Sequence, residues 1–346
     1  MNPEAAPIRY TPARDLLGHT APLDQRAQFP LLGLPLEFRS NSPAVIAAAE
    51  EAFGRWRDLA PELITPGDLL TVDLIIHPAQ ANQHSAMPQA EFIQRVHGDW
   101  FIASSGANLL TARRDHGQAL GFVTPELVAD NAHFRYNVLE CLGLLLASWR
   151  DRTPIHAGAI AHAGRAALLV GASGSGKSTL CYACARAGLS LLAEDVVYVG
   201  LRERLRLWGN PGRIHLLPDA PRFFPELADR PVQIQANGKR KLAVDLADLG
   251  TTLLHCHAER AVICLVRRHD GRASSLTPIA PQIAIAALSR NLEAGFDLSS
   301  STKIVAEALA AGGAYQLEVG RDLAGAVELL REMLGALGGD ARSIRE

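Results

Sequence analysis

The chain has 346 residues, of which 48% are hydrophobic, and its formal net charge at pH 7 is -2. This length accommodates one large domain or two ordinary ones, and the composition predicts globular cores. A net charge so near zero gives no overall positive charge that would attract nucleic acid or an acidic membrane surface. The start of the chain has no signal-peptide pattern, no apolar run is long enough to span a membrane, and the five cysteines are scattered. We therefore expect a cytoplasmic protein.

Residues 1–149 are predicted to form an α+β domain. Leu31 to Arg39 is a predicted strand, and Ser42 followed by Pro43 predicts the start of a helix that runs to about Trp56. A second, longer helix is predicted from Thr124-Pro125-Glu126 to about Trp149. Between the helices lie predicted short strands, at residues 71–76, 91–96, 100–104, 108–113 and 118–123. Nothing in this part forms a recognisable catalytic set, so its expected role is substrate recognition or assembly.

From residue 150 to 346 the pattern changes to alternating strands and helices, which predicts an α/β domain. The predicted strands cover residues 155–161, 166–170, 189–199, 206–208, 213–217, 232–235, 242–244, 261–266 and 315–319. The predicted helices cover residues 178–187, 281–293, 302–311 and 323–337. Cys181 and Cys184 form a C-x-x-C in the first of these helices, where core packing is favoured over metal or redox use.

A glycine-rich loop is the strongest motif of the chain. Residues 171–179 have the sequence GASGSGKST and match G-x-x-x-x-G-K-[ST] between a predicted strand and a predicted helix. Glycines allow backbone N–H groups to curl around phosphate oxygens, Lys177 reaches the outer phosphates, and the Ser178 hydroxyl is a Mg²⁺ ligand. The motif therefore predicts nucleoside triphosphate binding. The predicted binding residues are Gly171, Ser173, Gly174, Ser175, Gly176, Lys177, Ser178 and Thr179.

An acidic pair, Glu194-Asp195, interrupts the apolar run that follows this helix, and Asp195 lies 18 positions beyond Lys177. Two carboxylates in an apolar strand are costly unless a cation or hydrogen bonds satisfy them. Side chains alternate along a strand, so we expect the pair at a frayed strand end with divided roles. One carboxylate can hold Mg²⁺ beside Ser178, and the other can accept a proton from an attacking hydroxyl.

Three segments together resemble the HPr kinase/phosphorylase family and its HPr-kinase-related relatives, whose fold is similar to that of phosphoenolpyruvate carboxykinase. They are His156-Ala157-Gly158-Ala159-Ile160, the loop 171–179, and Leu192-Ala193-Glu194-Asp195. The resemblance implies a C-terminal P-loop domain of that type, with Lys177 and Ser178 on phosphate and Mg²⁺. It also implies Asp195 as a metal ligand with Ser178, Glu194 as the base, and His156 beside the reacting groups.

This chain departs from the family pattern in two respects. The first acid is Glu194 where the family has Asp, and the glycine-rich signature of the reverse, phosphorolytic reaction is missing. The resemblance therefore does not extend to phosphorylase activity. Residues 1–149 also do not match the N-terminal domain of the bifunctional enzymes.

The leading hypothesis is Mg²⁺- and ATP-dependent phosphoryl transfer to a serine-type hydroxyl of a protein or peptide. Two alternatives remain open: a kinase for a small molecule, and a non-catalytic module gated by nucleotide. The sequence identifies neither the acceptor nor the nucleotide preference, and it leaves homo-oligomer formation open. No nucleic acid or membrane partner is expected.

Overall fold

The computed structural model describes residue 9 and residues 22–67, 69–77, 92–202, 204–210, 212–234, 239–249, 257–290 and 302–336. Within this part of the chain, helices and strands are mixed, and the strands form four sheets. The expectation of a mixed α/β protein is therefore confirmed. The chain divides into two compact units, Met1–Arg150 and Asp151–Glu346.

The described strands of the first unit form one mixed sheet, in the order β1-β2-β3-β7-β6-β5-β4. They are β1 (Gln25–Leu31), β2 (Leu34–Ser40), β3 (Leu70–Ile76), β4 (Ile93–His97), β5 (Trp100–Ser105), β6 (Asn108–Arg113) and β7 (Gln118–Val123). The helices are α1 (Pro43–Phe53), α2 (Pro125–Ala129), α3 (Asn131–Phe134) and α4 (Cys141–Ser148). Phe29, Phe38 and Phe53 are buried in mutual contact, so α1 closes one face of the first hairpin.

Two predictions for the first unit differ from the structure. The strand predicted over 31–39 is mostly β2, but the prediction starts too early, because Leu32 and Gly33 form the turn between β1 and β2, with φ of 52° and 74°. The sequence does not predict this turn, because its first residue is a leucine in the left-handed region, where asparagine or aspartate is usual. The helix predicted from Thr124 does begin there, with the Thr124 hydroxyl as N-cap, but it breaks at Asp130, whose carboxylate caps α3.

The strands described in the second unit belong to three sheets, with the orders β11-β9-β10-β18-β20-β19, β17-β13-β12-β8 and β14-β16-β15. They are β8 (Thr153–His156), β9 (Gly158–His162), β10 (Arg165–Val170), β11 (Ser190–Ala193), β12 (Val196–Gly200), β13 (Arg206–Gly209), β14 (Arg213–Leu216), β15 (Val232–Ile234), β16 (Arg240–Asp245), β17 (His257–Ala258), β18 (Arg260–Arg268), β19 (Ser275–Pro278) and β20 (Ala314–Val319). The helices are α5 (Lys177–Arg186), α6 (Pro281–Arg290), α7 (Thr302–Ala310) and α8 (Leu323–Ala336).

Two hydrophobic cores cover the two faces of the six-stranded sheet. Alternate residues of β10 enter opposite cores: Leu169 joins the core that holds α5 and α8, whereas Leu168 joins the core that holds α6 and α7. A strand buried on both faces is expected to be a continuous apolar run, as residues 166–170 are. β10 and its parallel neighbour β18 therefore form a rigid centre from which the glycine-rich loop leaves.

Two predicted strands are each broken in the structure, at the same place in space. The segment 155–161 breaks at Ala157, and the segment 189–199 breaks at Glu194-Asp195. In both cases the first and second halves pair in different sheets, β9 with β11 and β8 with β12. The Ala157 N–H donates to Asp195 O at 2.9 Å and holds the two breaks together.

Four predicted elements extend beyond the described residues: the strand 91–96 at residue 91, the strand 232–235 at residue 235, the helix 281–293 at residues 291–293 and the helix 323–337 at residue 337.

Candidate functional site

The glycine-rich loop joins the end of β10 to the start of α5. Gly174 and Gly176 have φ of 82° and 93°, a region that side chains other than glycine rarely occupy. Gly171 is required for a different reason, because a β-carbon there would lie 2.8 Å from both Val266 O and Ser175 Oγ. Each of these glycines therefore has a physical role in the shape of the loop.

Lys177 is folded back over the loop and is only 8% exposed. Its ammonium donates to Gly171 O at 2.5 Å and to Ala172 O at 3.1 Å. The charge is thus fixed inside the loop, at the N-terminus of α5, where the helix dipole also favours an anion. This arrangement fits the binding of phosphate groups.

The other loop residues differ in exposure. Ser173 and Gly174 are exposed, and Thr179 is half-buried on the first turn of α5. The Ser175 Oγ is buried and, within the part of the chain that the structure describes, has no hydrogen-bond partner. A buried hydroxyl in this state is costly, so a phosphate oxygen in the loop would supply an acceptor that it lacks.

Ser178 meets the acidic pair through Glu194. The Ser178 hydroxyl donates to Glu194 Oε1 at 3.0 Å, and the glutamate side chain is 13% exposed. Neighbouring ligands of an octahedral Mg²⁺ with bonds of about 2.1 Å lie about 3.0 Å apart. The two oxygens therefore fit adjacent positions around this ion, and they are of the hard type that it prefers.

Asp195 lies beside His156 instead. Its Oδ1 is 3.3 Å from His156 Nδ1. The aspartate side chain is 58% exposed, whereas the imidazole is 11% exposed at the end of β8. A half-buried imidazole next to an open carboxylate is a suitable arrangement for orienting a general base toward an incoming hydroxyl.

The structure brings most of the predicted residues together, with one change of partners. The prediction paired Ser178 with Asp195, whereas the contact that Ser178 makes is with Glu194. The bend at residues 194–195 is the cause: it sends one carboxylate toward α5 and the next toward β8.

Sequence reasoning missed His215, on β14. Its Nδ1 lies 3.1 Å from Glu194 Oε2, and its side chain is 33% exposed. The alternation of buried Ile214 and Leu216 with Arg213 and His215 marks a half-buried strand but gives no sign of what the histidine contacts. Only the folded chain brings it to the acidic pair.

Cys181 and Cys184 lie on the buried face of α5 and pack in the core, in accordance with the favoured interpretation. Burial raises the pKa of the Cys184 thiol to about 12 and that of the Cys181 thiol well above its usual range. The thiols therefore stay protonated and act as small apolar groups. Cys256 lies outside the described residues.

Comparisons with known proteins add little to this geometry. No family model matches the chain, and no curated protein matches it. Among solved structures, the HPr(Ser) kinase/phosphatase from Coxiella burnetii is similar, with 12% sequence identity and a TM-score of 0.25 over 53% of this chain and 93% of that chain. That TM-score is too low to assign a function. None of the helices described is both long and apolar enough to cross a membrane.

Proposed function

We propose that this protein is a kinase of the HPr-kinase-related type, which binds Mg²⁺-ATP at the loop 171–179. It transfers the γ-phosphoryl group to a serine-type hydroxyl of a protein or peptide in the cytoplasm. The observation that carries the proposal is the division of the acidic pair, with Glu194 on Ser178 and the exposed Asp195 beside His156. Phosphate cradle, metal ligands and base are the parts that phosphoryl transfer needs.

The loop and Lys177 hold the phosphates of the substrate in this proposal. Ser178 and Glu194 would hold Mg²⁺, which when bound neutralises charge on the phosphate oxygens. The metal role thus passes from Asp195 to Glu194, because Glu194 has the contact with the loop serine.

Asp195 becomes the general base, with His156 as the residue that orients it. The acceptor hydroxyl gives its proton to the Asp195 carboxylate as its oxygen bonds to the γ-phosphorus. The bond from that phosphorus to the bridging oxygen breaks, and ADP leaves with the electron pair. The exposure of Asp195 suits this role, because a bulky protein or peptide acceptor has to reach the base from solvent.

The test is incubation of the purified chain with γ-labelled ATP, Mg²⁺ and lysate from its own source. Lys177→Ala should lose ATP binding, whereas Asp195→Asn should keep binding and lose transfer. Asp270→Asn, at an exposed aspartate outside the site, is the matched control and should behave as the unmodified chain does.

Three results would replace the proposal. ATP binding with neither ADP formation nor a labelled product would favour the non-catalytic module. ADP formation without labelled protein or peptide would favour a small-molecule acceptor. Phosphoryl transfer that persists in the Asp195→Asn variant would indicate that Glu194 is the general base.

The substrate-recognition or assembly role of the first unit stays a prediction, as does homo-oligomer formation.

A further inference from the structure

Glu194 is held at both of its carboxylate oxygens. Oε1 accepts from the Ser178 hydroxyl at 3.0 Å, while Oε2 lies 3.1 Å from His215 Nδ1. A free glutamate side chain has three rotatable torsions, and fixing it costs rotamer freedom. A partner at the second oxygen decides which way the carboxylate faces, because one contact alone leaves the group free to turn about it.

The partner at the second oxygen belongs to a well-fixed strand. His215 pairs with Ala243 on β16, and its neighbours Ile214 and Leu216 are both 0% exposed in the core. Lys241 Nζ lies 3.5 Å from the backbone oxygen of His215 and supports the same segment from β16. The imidazole is therefore presented from a rigid element rather than from a loop.

The contact between His215 and Glu194 matters for stability because the Glu194 side chain is largely shielded from water. The Glu194 side chain is 13% exposed, so its carboxylate has lost most of its hydration. A carboxylate in that position needs hydrogen-bond donors on both oxygens. With the proton on Nδ1, His215 supplies the second donor.

We propose that His215 is a positioning residue, which holds Glu194 Oε2 and so turns Oε1 toward Ser178 to form the oxygen pair that receives Mg²⁺ with ATP. The identity of the ligand rests on the proposed function, but phosphoryl transfer is not needed for the proposal. Residues that orient metal ligands in this way typically contribute about 10- to 100-fold to metal affinity.

The experiment is ATP binding by isothermal titration calorimetry on the full chain, across a series of Mg²⁺ concentrations and in excess EDTA. His215→Ala should require about 10- to 100-fold more Mg²⁺ for half-maximal enhancement of ATP binding. Its affinity for ATP in EDTA should stay at the wild-type value, because the loop itself is unchanged. His162→Ala, at a half-buried histidine at the end of β9, is the matched control.

Two conservative variants separate positioning from packing. His215→Asn places an amide N–H as many bonds from the backbone as Nδ1 is, so it should restore the wild-type Mg²⁺ dependence. His215→Gln keeps a polar side chain of similar size but carries its donor one bond further out, so it should behave as His215→Ala does. In a Glu194→Gln background, His215→Ala should produce no additional loss, because the two residues act through one contact.

A wild-type Mg²⁺ dependence in both His215→Ala and His215→Gln would overturn the proposal, as would an Asn variant that folds but binds Mg²⁺ as poorly as the Gln variant. Wild-type protein that binds ATP with Mg²⁺ but transfers no phosphate would overturn the kinase proposal alone and leave these comparisons valid. Wild-type protein that binds no ATP would overturn both.

Discussion

Replacing Gly171 by alanine tests how closely the loop approaches β18. The new β-carbon would lie 2.8 Å from Val266 O and from Ser175 Oγ, where ordinary contacts begin at 3.4 Å. The serine hydroxyl can rotate away, but Val266 is fixed by its pairing with Leu317 on β20. The loop would therefore have to retreat by about 0.6 Å from the strand.

That retreat displaces the carbonyl of Gly171, which accepts the hydrogen bond from Lys177 at 2.5 Å. Overpacking of this kind costs about 1–3 kcal/mol of folding free energy. If the bound loop bears the same penalty, ATP affinity falls by about 5- to 150-fold. Urea unfolding and ATP titration measure the two effects, with Gly67→Ala as control because its β-carbon meets nothing within 4 Å. A Gly171→Ala protein with wild-type stability and wild-type ATP affinity would refute the close-approach argument.

Three further predictions concern the internal packing of the two units, each taken by itself. Gly209→Ala places a β-carbon 1.6 Å from Leu192 O, so β13 has to separate from the end of β11; we expect a loss of about 3 kcal/mol or more in urea unfolding. Asn41→Ala removes both hydrogen bonds that the buried amide makes with the backbone of Ile76, at 2.8 and 3.0 Å, and should cost about 2–3 kcal/mol in thermal unfolding while ATP binding is unchanged. Burial raises the pKa of Cys184 and of Cys264 to about 12, whereas unfolded thiols ionise near pH 8.5. Their contribution to stability is therefore complete below about pH 8.5 and is lost as pH rises toward 12, by up to about 1.4 kcal/mol per pH unit and thiol. Urea unfolding at pH 8 and pH 10 should show a smaller difference in a Cys184→Ala/Cys264→Ala variant than in the wild type, and equal differences would contradict the assignment.

Local patterns were sufficient to predict the strand, loop and helix around Lys177. The apolar run 166–170 lies between two glycines, and the structure places β10 at Arg165–Val170 and α5 at Lys177–Arg186. These signals are local because a strand buried on both faces needs a continuous apolar stretch, and a phosphate loop needs glycine at specific positions. The bounds of the strand, the loop and the helix could thus be predicted before any tertiary contact was known, and phosphate binding by the loop residues stays a prediction.

The contacts of Glu194 and Asp195 could not be predicted from local patterns in this way. The acidic pair predicted a strand end, but residues 189–199 are apolar on both sides of Glu194-Asp195, so the sequence does not show that the chain changes sheet there. The change depends on which strand pairs with which half, and pairing is a tertiary property. The contact of His215 could not be predicted for the same reason, because it depends on how the three-stranded sheet packs within the second unit.

The change of sheet also explains how two adjacent carboxylates acquire different partners. In an unbroken strand their side chains would point to opposite faces of one sheet, and at most one would face the loop. The bend lets Glu194 reach Ser178 on α5 while Asp195 stays next to the paired residues His156 and Val196. A β-carbon on Gly158 would meet Cys181 Sγ at 2.8 Å and Glu194 O at 3.1 Å, so β9 lies tightly between α5 and the bend. The separation of Ser178 from Glu194 is therefore set by backbone packing around Gly158, and side-chain contacts such as that of His215 need only fix the direction of the carboxylate.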